Sequence, residues 1–352
     1  MASEGPVGQC SPAPRRRRQD RQRTGEPAGT SCYNAAVQYR PLGASGLKVS
    51  VVGLGSWLTI GNTLDAPTTT DLVRTAFEAG VNLFDTADVY NQGEGERALG
   101  HALRELPRHR CVVATKCFFP RSDDPNDRGL SRKHIHESIR GSLQRLQTDY
   151  VDLYQCHRFD PETPLLETAM AMDDLIRRGL VLYWGVSQWP AERIAEVVEL
   201  CRAEHLHRPI ANQPLYNLFD RGIESAVLPT CGRAGLGTLC YSPLAQGVLS
   251  GKYLPGAPPP VDSRAADARV NQFVGRYLSP VHLDKVARFK ALAEQHRLTP
   301  VQLALAFCLR DPRISSVLVG VRTEAQLRGN LAAVGVVVDS ELQKALDAIF
   351  QP

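Results

Sequence analysis

The sequence predicts an α/β fold, a single (β/α)8 TIM barrel, and three observations lead there. From residue 38 onward, short β-rich runs alternate with longer helical patterns, the order that a parallel sheet with crossover helices requires. The runs number eight, enough to close into a ring. The glycine-rich phosphate turn that would open a doubly wound nucleotide-binding sheet is missing.

Residues 1–37 precede the barrel, which is expected to span 38–352. They are rich in Pro, Gly, Ser and Arg and too poor in apolar side chains for burial to offset chain entropy, so they are expected to be a disordered tail. Six Arg against Glu4, Asp20 and Glu26 give this tail +3 of the chain's formal +4, which leaves the body nearly neutral. A nucleic-acid-binding core would gather basic residues on its folded surface, so that class is excluded. The run from Arg15 to Arg18 reads as a solvated tail rather than a membrane, nucleic-acid or targeting contact.

Strands are expected at 47–54, 82–85, 111–116, 150–156, 181–186, 210–214, 237–241 and 315–320. Helical patterns lie between them at 71–79, 95–106, 134–146, 165–178, 191–204 and 300–309, with start signals at Ser131 and Pro190. Residues 53–58, GLGSWL, lack the third glycine of a dinucleotide turn. Residues 93–98, GEGERA, match its form, but Glu94 and Glu96 would put negative charge where a pyrophosphate should sit. Those glutamates make sense as acids capping a helix N-terminus. The Pro-rich stretch 251–279 has no periodicity and would lie at the catalytic face, a candidate flap over a ligand.

Nine cysteines include no C-x-x-C pair and several sit in apolar runs, as reduced buried thiols do. No apolar stretch approaches the roughly 20 residues that span a bilayer, so a cytoplasmic protein without membrane insertion is expected. His134 and His136, like His205 and His207, are two apart, where helical side chains diverge, and no further ligand completes a metal site.

Catalytic groups on a barrel belong at the C-terminal ends of strands. Asp85 ends the second expected strand, Tyr90 follows on its loop, Lys116 ends the third and His157 follows the fourth. Singly, each has a plain structural role. Together they suit carbonyl reduction, because hydride addition leaves negative charge on oxygen that must be protonated. A phenol can serve if a cation lowers its pKa from about 10. Lys116 supplies the cation, Asp85 holds it, and His157 can donate a hydrogen bond to the same oxygen.

These residues resemble the Asp, Tyr, Lys and His tetrad of the aldo-keto reductases. The resemblance covers roughly 38–350 and rests on six ordered motifs: 82–90 (NLFDTADVY), 95–100 (GERALG), 114–116 (ATK), 146–153 (LQTDYVDL), 185–187 (GVS) and 241–244 (YSPL). The segments 146–157 and 241–253 are most similar to the branch of potassium-channel β subunits and related bacterial reductases. His157 stands where, by resemblance, the channel subunits carry Asn, which favours an ordinary catalyst over a channel accessory.

The resemblance implies an extended NADP(H) across the barrel top. Ser187, Gln188 and Gln213 would hold the carboxamide, Tyr241 would stack on the nicotinamide, and Ser56, Trp57 and Asp85 would stand beside it. Ser242, Pro243, Leu244, Ala245, Gln246 and Lys252 would line the pyrophosphate. Arg264, Gly320, Arg322, Gln326 and Asn330 would bind the adenosine end, where an Arg suits a 2′-phosphate and so NADPH over NADH. Gly329 departs from the acidic residue the branch often carries there. The partner implied is a small carbonyl substrate, with residues such as Trp57, Phe118, Phe119, Arg158 and Phe159 suggesting a partly aromatic pocket. The channel branch forms tetramers, and a nucleotide-sensing channel β subunit is the alternative function.

Overall fold

Eight short strands close the barrel because each pairs in parallel with the next and the last returns to the first. They are β3 (Val52–Gly55), β4 (Leu83–Asp85), β5 (Val112–Cys117), β6 (Val151–Cys156), β7 (Val181–Ser187), β8 (Ala211–Gln213), β9 (Gly237–Tyr241) and β10 (Ile314–Val319), with β10 pairing both β9 and β3. An antiparallel hairpin precedes them, β1 (Tyr39–Pro41) and β2 (Lys48–Ser50). This computed structural model describes residues 1–2 and 37–350, so the tail expected over 1–37 lies almost wholly outside the described residues.

The expected strand 47–54 is two elements. Ser50 turns the chain between them: its Oγ donates to the Val52 carbonyl at 2.8 Å and its N–H to Asn82 Oδ1 at 2.7 Å. A continuous apolar run conceals such a break, since both halves are buried.

The helices are α1 (Ala66–Glu78), α2 (Glu94–Leu103), α3 (Arg132–Leu146), α4 (Leu165–Arg177), α5 (Ala191–Ala203), α6 (Val227–Ala234), α7 (Pro280–Gln295), α8 (Pro300–Leu309), α9 (Glu324–Leu331) and α10 (Ser340–Phe350). Ser131 caps α3 as expected, accepting from the His134 N–H. The sequence reading did not single out α6, α7, α9 and α10. One of them carries a legible start, Ser279 capping α7 with Pro280 in its first turn.

Strand periodicity sorts the barrel interior into floors. Leu83, Ala114, Leu153 and Ala211 form an apolar floor with Leu239 and Leu318, and Leu42 and Val49 of the hairpin region close it from below. Two residues further along the same strands come Asp85, Lys116, Gln155 and Gln213, all buried. The polar layer thus rests on a sealed apolar one. Outward-facing Phe84, Val113, Tyr154, Trp184, Cys240 and Val317 pack into the larger core under the helices.

Gly43 fixes where the plug docks. Its φ of +61° is left-handed, and a Cβ there would lie 2.3 Å from the Gly235 carbonyl oxygen. Ala44 N–H then donates to that carbonyl at 2.9 Å. Leu42 is fully buried, so Leu42→Ala is expected to lower the unfolding free energy by about 2–5 kcal/mol, read from urea denaturation.

Candidate active site

Lys116 points up the barrel axis from a fully buried position, and burying an ammonium is tolerable only with partners in place. Its Nζ donates to Asp85 Oδ2 at 2.6 Å and to the Thr86 carbonyl at 2.7 Å, and reaches the Tyr90 hydroxyl at 3.4 Å. The other carboxylate oxygen of Asp85 accepts from Gln213 Nε2 at 2.8 Å and, more weakly, from Gln155 Nε2 at 3.5 Å. Four strands therefore supply one polar unit whose charges cancel. Burial lowers the Lys116 ammonium from its ordinary range, and the Asp85 carboxylate opposes that shift.

Tyr90 meets this unit from the turn after β4. The expectation that Lys116 lowers its pKa is corrected. Burial pushes the phenol well above its ordinary value, and the Asp85 charge adds to the rise. The reason is geometric: the ammonium is engaged by Asp85 at 2.6 Å, whereas the phenol is at the limit of hydrogen bonding. His157 stands beside Tyr90, ring centres 5.7 Å apart, and against Phe119 at 4.9 Å. Burial, helped by Lys116, drives its imidazole well below the ordinary range, so the ring is neutral. Nδ1 is buried without a partner, which leaves Nε2 as the nitrogen able to serve the cavity His157 lines.

That cavity holds about 1250 Å³ and runs over the C-terminal ends of the strands. Its wall contains Asp85, Tyr90 and His157, then Ser56, Trp57, Ser187, Gln213, Tyr241, Ser242, Pro243, Leu244, Gln246, Lys252, Arg264, Gly320, Arg322, Gln326 and Asn330. Lys116, Gln188 and Ala245 stand behind it. Gln188 acts through Tyr241, donating from Nε2 to the phenolic oxygen at 2.6 Å. Ala245 is fully buried. Phe118 and Phe159 do not belong to the wall. Phe159 packs on Trp189 with ring centres 5.1 Å apart, and Phe119 alone of the three faces the cavity. Phe273, from the loop after β9, was missed by sequence reasoning; it packs on Trp57 at 4.9 Å, a pairing with no local signal.

The stretch expected as a flap lines the cavity, contributing Asp262, Arg264, Arg269, Gln272, Phe273, Arg276 and Tyr277. Strain concentrates here as well. Among the described residues ten non-glycine residues have positive φ, and seven of them (Leu58, Asn91, Gln92, Gln188, Ser242, Ala245 and Gln246) follow barrel strands at this face.

Dinucleotide fit is testable on the cations. Arg264 is pushed down to about 10 by burial and by the like charge of Arg322, and Lys252 is lowered by burial and by both arginines. Lys252 and Arg264, crowded beside an Arg322 that Asp267 partly offsets, are donors of the kind that suits phosphate oxygens. At the opposite wall, Gln213 and Ser187 form a polar edge beside Tyr241.

Residues 51–351 match the Aldo/keto reductase family. The chain belongs to the aldo/keto reductase family. A rice protein (Oryza sativa subsp. japonica) named a probable voltage-gated potassium channel subunit beta is 43% identical over 320 residues, covering 90% of this chain and 97% of that protein. An Arabidopsis thaliana protein of the same name is 43% identical, covering 86% and 92%. A Schizosaccharomyces pombe protein named a putative voltage-gated potassium channel subunit beta is 38% identical, covering 89% and 93%. The resemblance to that branch holds across nearly the full lengths, and membership supports an oxidoreductase. Among the described residues no helix is long and apolar enough to cross a membrane.

Behind the wall of this cavity lies a second buried polar cluster. Glu96 lies in the first turn of α2, as expected of an acid at a helix N-terminus, and is fully buried; Arg145 Nε meets its Oε2 at 2.6 Å and Thr115 Oγ1 its Oε1 at 2.6 Å. Its neighbour Asp88 accepts from Ser138 Oγ at 2.7 Å, and its Oδ1 has no partner. Burial and the Glu96 charge raise Asp88 to about 7. A carboxyl raised on folding holds its proton in the native state while the unfolded chain has lost it, so stability falls as pH rises from about 4 to 7. Asp88→Asn should therefore stabilise more at pH 8 than at pH 4, by a few kcal/mol at most, measured as the difference in unfolding free energy at the two pH values.

Proposed function

We propose that this chain catalyses the reversible NADPH-dependent reduction of aldehydes and ketones to alcohols, with Tyr90 as proton donor and Asp85, Lys116 and His157 as its catalytic partners. The observation that carries the reading is the meeting of Lys116 Nζ with Asp85 at 2.6 Å and Tyr90 at 3.4 Å beside the neutral His157.

When bound, the nicotinamide cofactor supplies the hydride. Ser187 and Gln213 would hold its carboxamide and Tyr241 its ring, Lys252 and Ser242 would serve the pyrophosphate, and Arg264 and Arg322 would serve the 2′-phosphate. The substrate carbonyl oxygen lies between Tyr90 and His157. His157 donates from Nε2 to that oxygen, stabilising the charge that develops there. Tyr90 then gives its proton to an alkoxide, a far stronger base than a phenolate, so a raised phenol remains a competent acid and stays protonated at neutral pH. Lys116 stabilises the phenolate left behind, and Asp85 keeps Lys116 charged and fixed. The resting pair is neutral, so its field acts most when Tyr90 becomes an anion.

The names of the three relatives favour a second reading, a β subunit of a voltage-gated potassium channel, in which this site would sense the nucleotide and turn over slowly. Steady-state turnover of 4-nitrobenzaldehyde separates the two. Turnover no faster than cofactor exchange favours the sensor.

Tyr90→Phe is expected to lower carbonyl turnover by about 10²–10⁴-fold while NADPH affinity, measured by quenching of protein fluorescence, stays near wild type; undiminished turnover would exclude Tyr90 as the donor. Arg264→Ala and Arg322→Ala should each weaken NADPH binding about tenfold or more and NADH binding less, in paired titrations.

A further inference from the structure

The cations of the cavity wall fall into three groups. Arg269 and Arg322 pair with Asp267, and Arg276 pairs with Asp220. Lys252 and Arg264 belong to the crowded phosphate end described above. Arg158 remains, and among the described residues no carboxylate lies within ion-pairing distance of it. It follows β6, which is four strands around the ring from β10 and its phosphate-side loop, so it does not share the anion that the other end awaits.

Arg158 is held in place all the same. One guanidinium nitrogen donates to the His157 carbonyl at 2.6 Å, and the group lies 5.2 Å from the centre of the Phe119 ring. A guanidinium has five N–H donors in a rigid fork, and among the described residues only this one is engaged. Asp85, the acid of this lobe, is already matched by Lys116. The lobe around Tyr90 and His157 therefore carries one uncompensated positive charge beside an apolar wall of Trp57, Phe119 and Phe273. That charge is felt at the reacting groups, since it opposes the rise at Tyr90 and lowers His157.

We propose that Arg158 makes the carbonyl end of the cavity selective for anions, so that the preferred substrates are aldehydes or ketones bearing a carboxylate on an aromatic-sized apolar body. This rests on the reading of the site as a carbonyl reductase. The guanidinium fork meets a carboxylate in two parallel hydrogen bonds, while the carbonyl is held by Tyr90 and His157 and the body of the molecule by the aromatic wall.

The test compares 4-carboxybenzaldehyde with methyl 4-formylbenzoate, in which the charge is removed and the aldehyde is the more electrophilic. A preference for the acid must then come from binding. Wild-type protein is expected to favour the acid about tenfold or more in kcat/KM. Arg158→Gln should abolish or invert that ratio, and Arg158→Lys should retain part of it. In parallel, calorimetry on NADPH-saturated protein should detect benzoate binding that Arg158→Gln loses, with benzamide as the neutral control. Equal handling of the two aldehydes by wild type, or benzoate binding unchanged in Arg158→Gln, overturns the proposal. Should neither aldehyde turn over while benzoate binding still depends on Arg158, the anion pocket stands and the carbonyl-reduction reading falls.

Discussion

A lysine with no exposure cannot remain charged without a carboxylate at contact distance, and much of this barrel's upper half follows from that requirement. Lys116 and Asp85 sit on adjacent strands, β5 and β4, whose register places Asp85 opposite Ala114. The pair is costly to bury and costlier to break, because removing either member strands the other in low dielectric. Gln213, from β8 on the far side of the ring, and Gln155, from β6 beside β5, satisfy the remaining oxygen of Asp85. The ring must close for these donors to arrive, so the polar layer and the barrel depend on each other.

Below that layer the apolar floor and the hairpin plug exclude water from one end, and all access is from the other. The loops there are built in conformations that side-chain-bearing residues seldom adopt. Strain of this sort persists only where surrounding contacts over-determine it. Here Asn217 Nδ2 donates to the Ser242 carbonyl at 3.1 Å, and Gln246 Nε2 to Ser242 Oγ at 2.6 Å. The result is a rigid rim, suited to holding a long ligand in one register.

Charge divides the cavity along its length. Crowded cations occupy one end, a neutralised ion pair the middle, and the other a guanidinium, Arg158, that meets no carboxylate among the described residues. A dinucleotide, with its negative charge concentrated far from its reactive ring, matches the first two regions, and only the third is left to distinguish one small molecule from another.

Much of this was legible in the linear chain. Period-two and helical patterning, eight runs in alternation, and polar residues recurring at strand ends determined the barrel and singled out Asp85, Tyr90, Lys116 and His157, because those signals are local and repeat. The break at Ser50 was hidden because both flanking segments are apolar. The sequence anticipated the pairing of Asp85 with Lys116 but not that burial and the Asp85 charge together would raise Tyr90. Nor could it separate Phe119, which faces the cavity, from Phe118 and Phe159, which do not. Pairing, burial and direction depend on residues far apart in the chain, as with Arg158, which meets no carboxylate among the described residues folded around it.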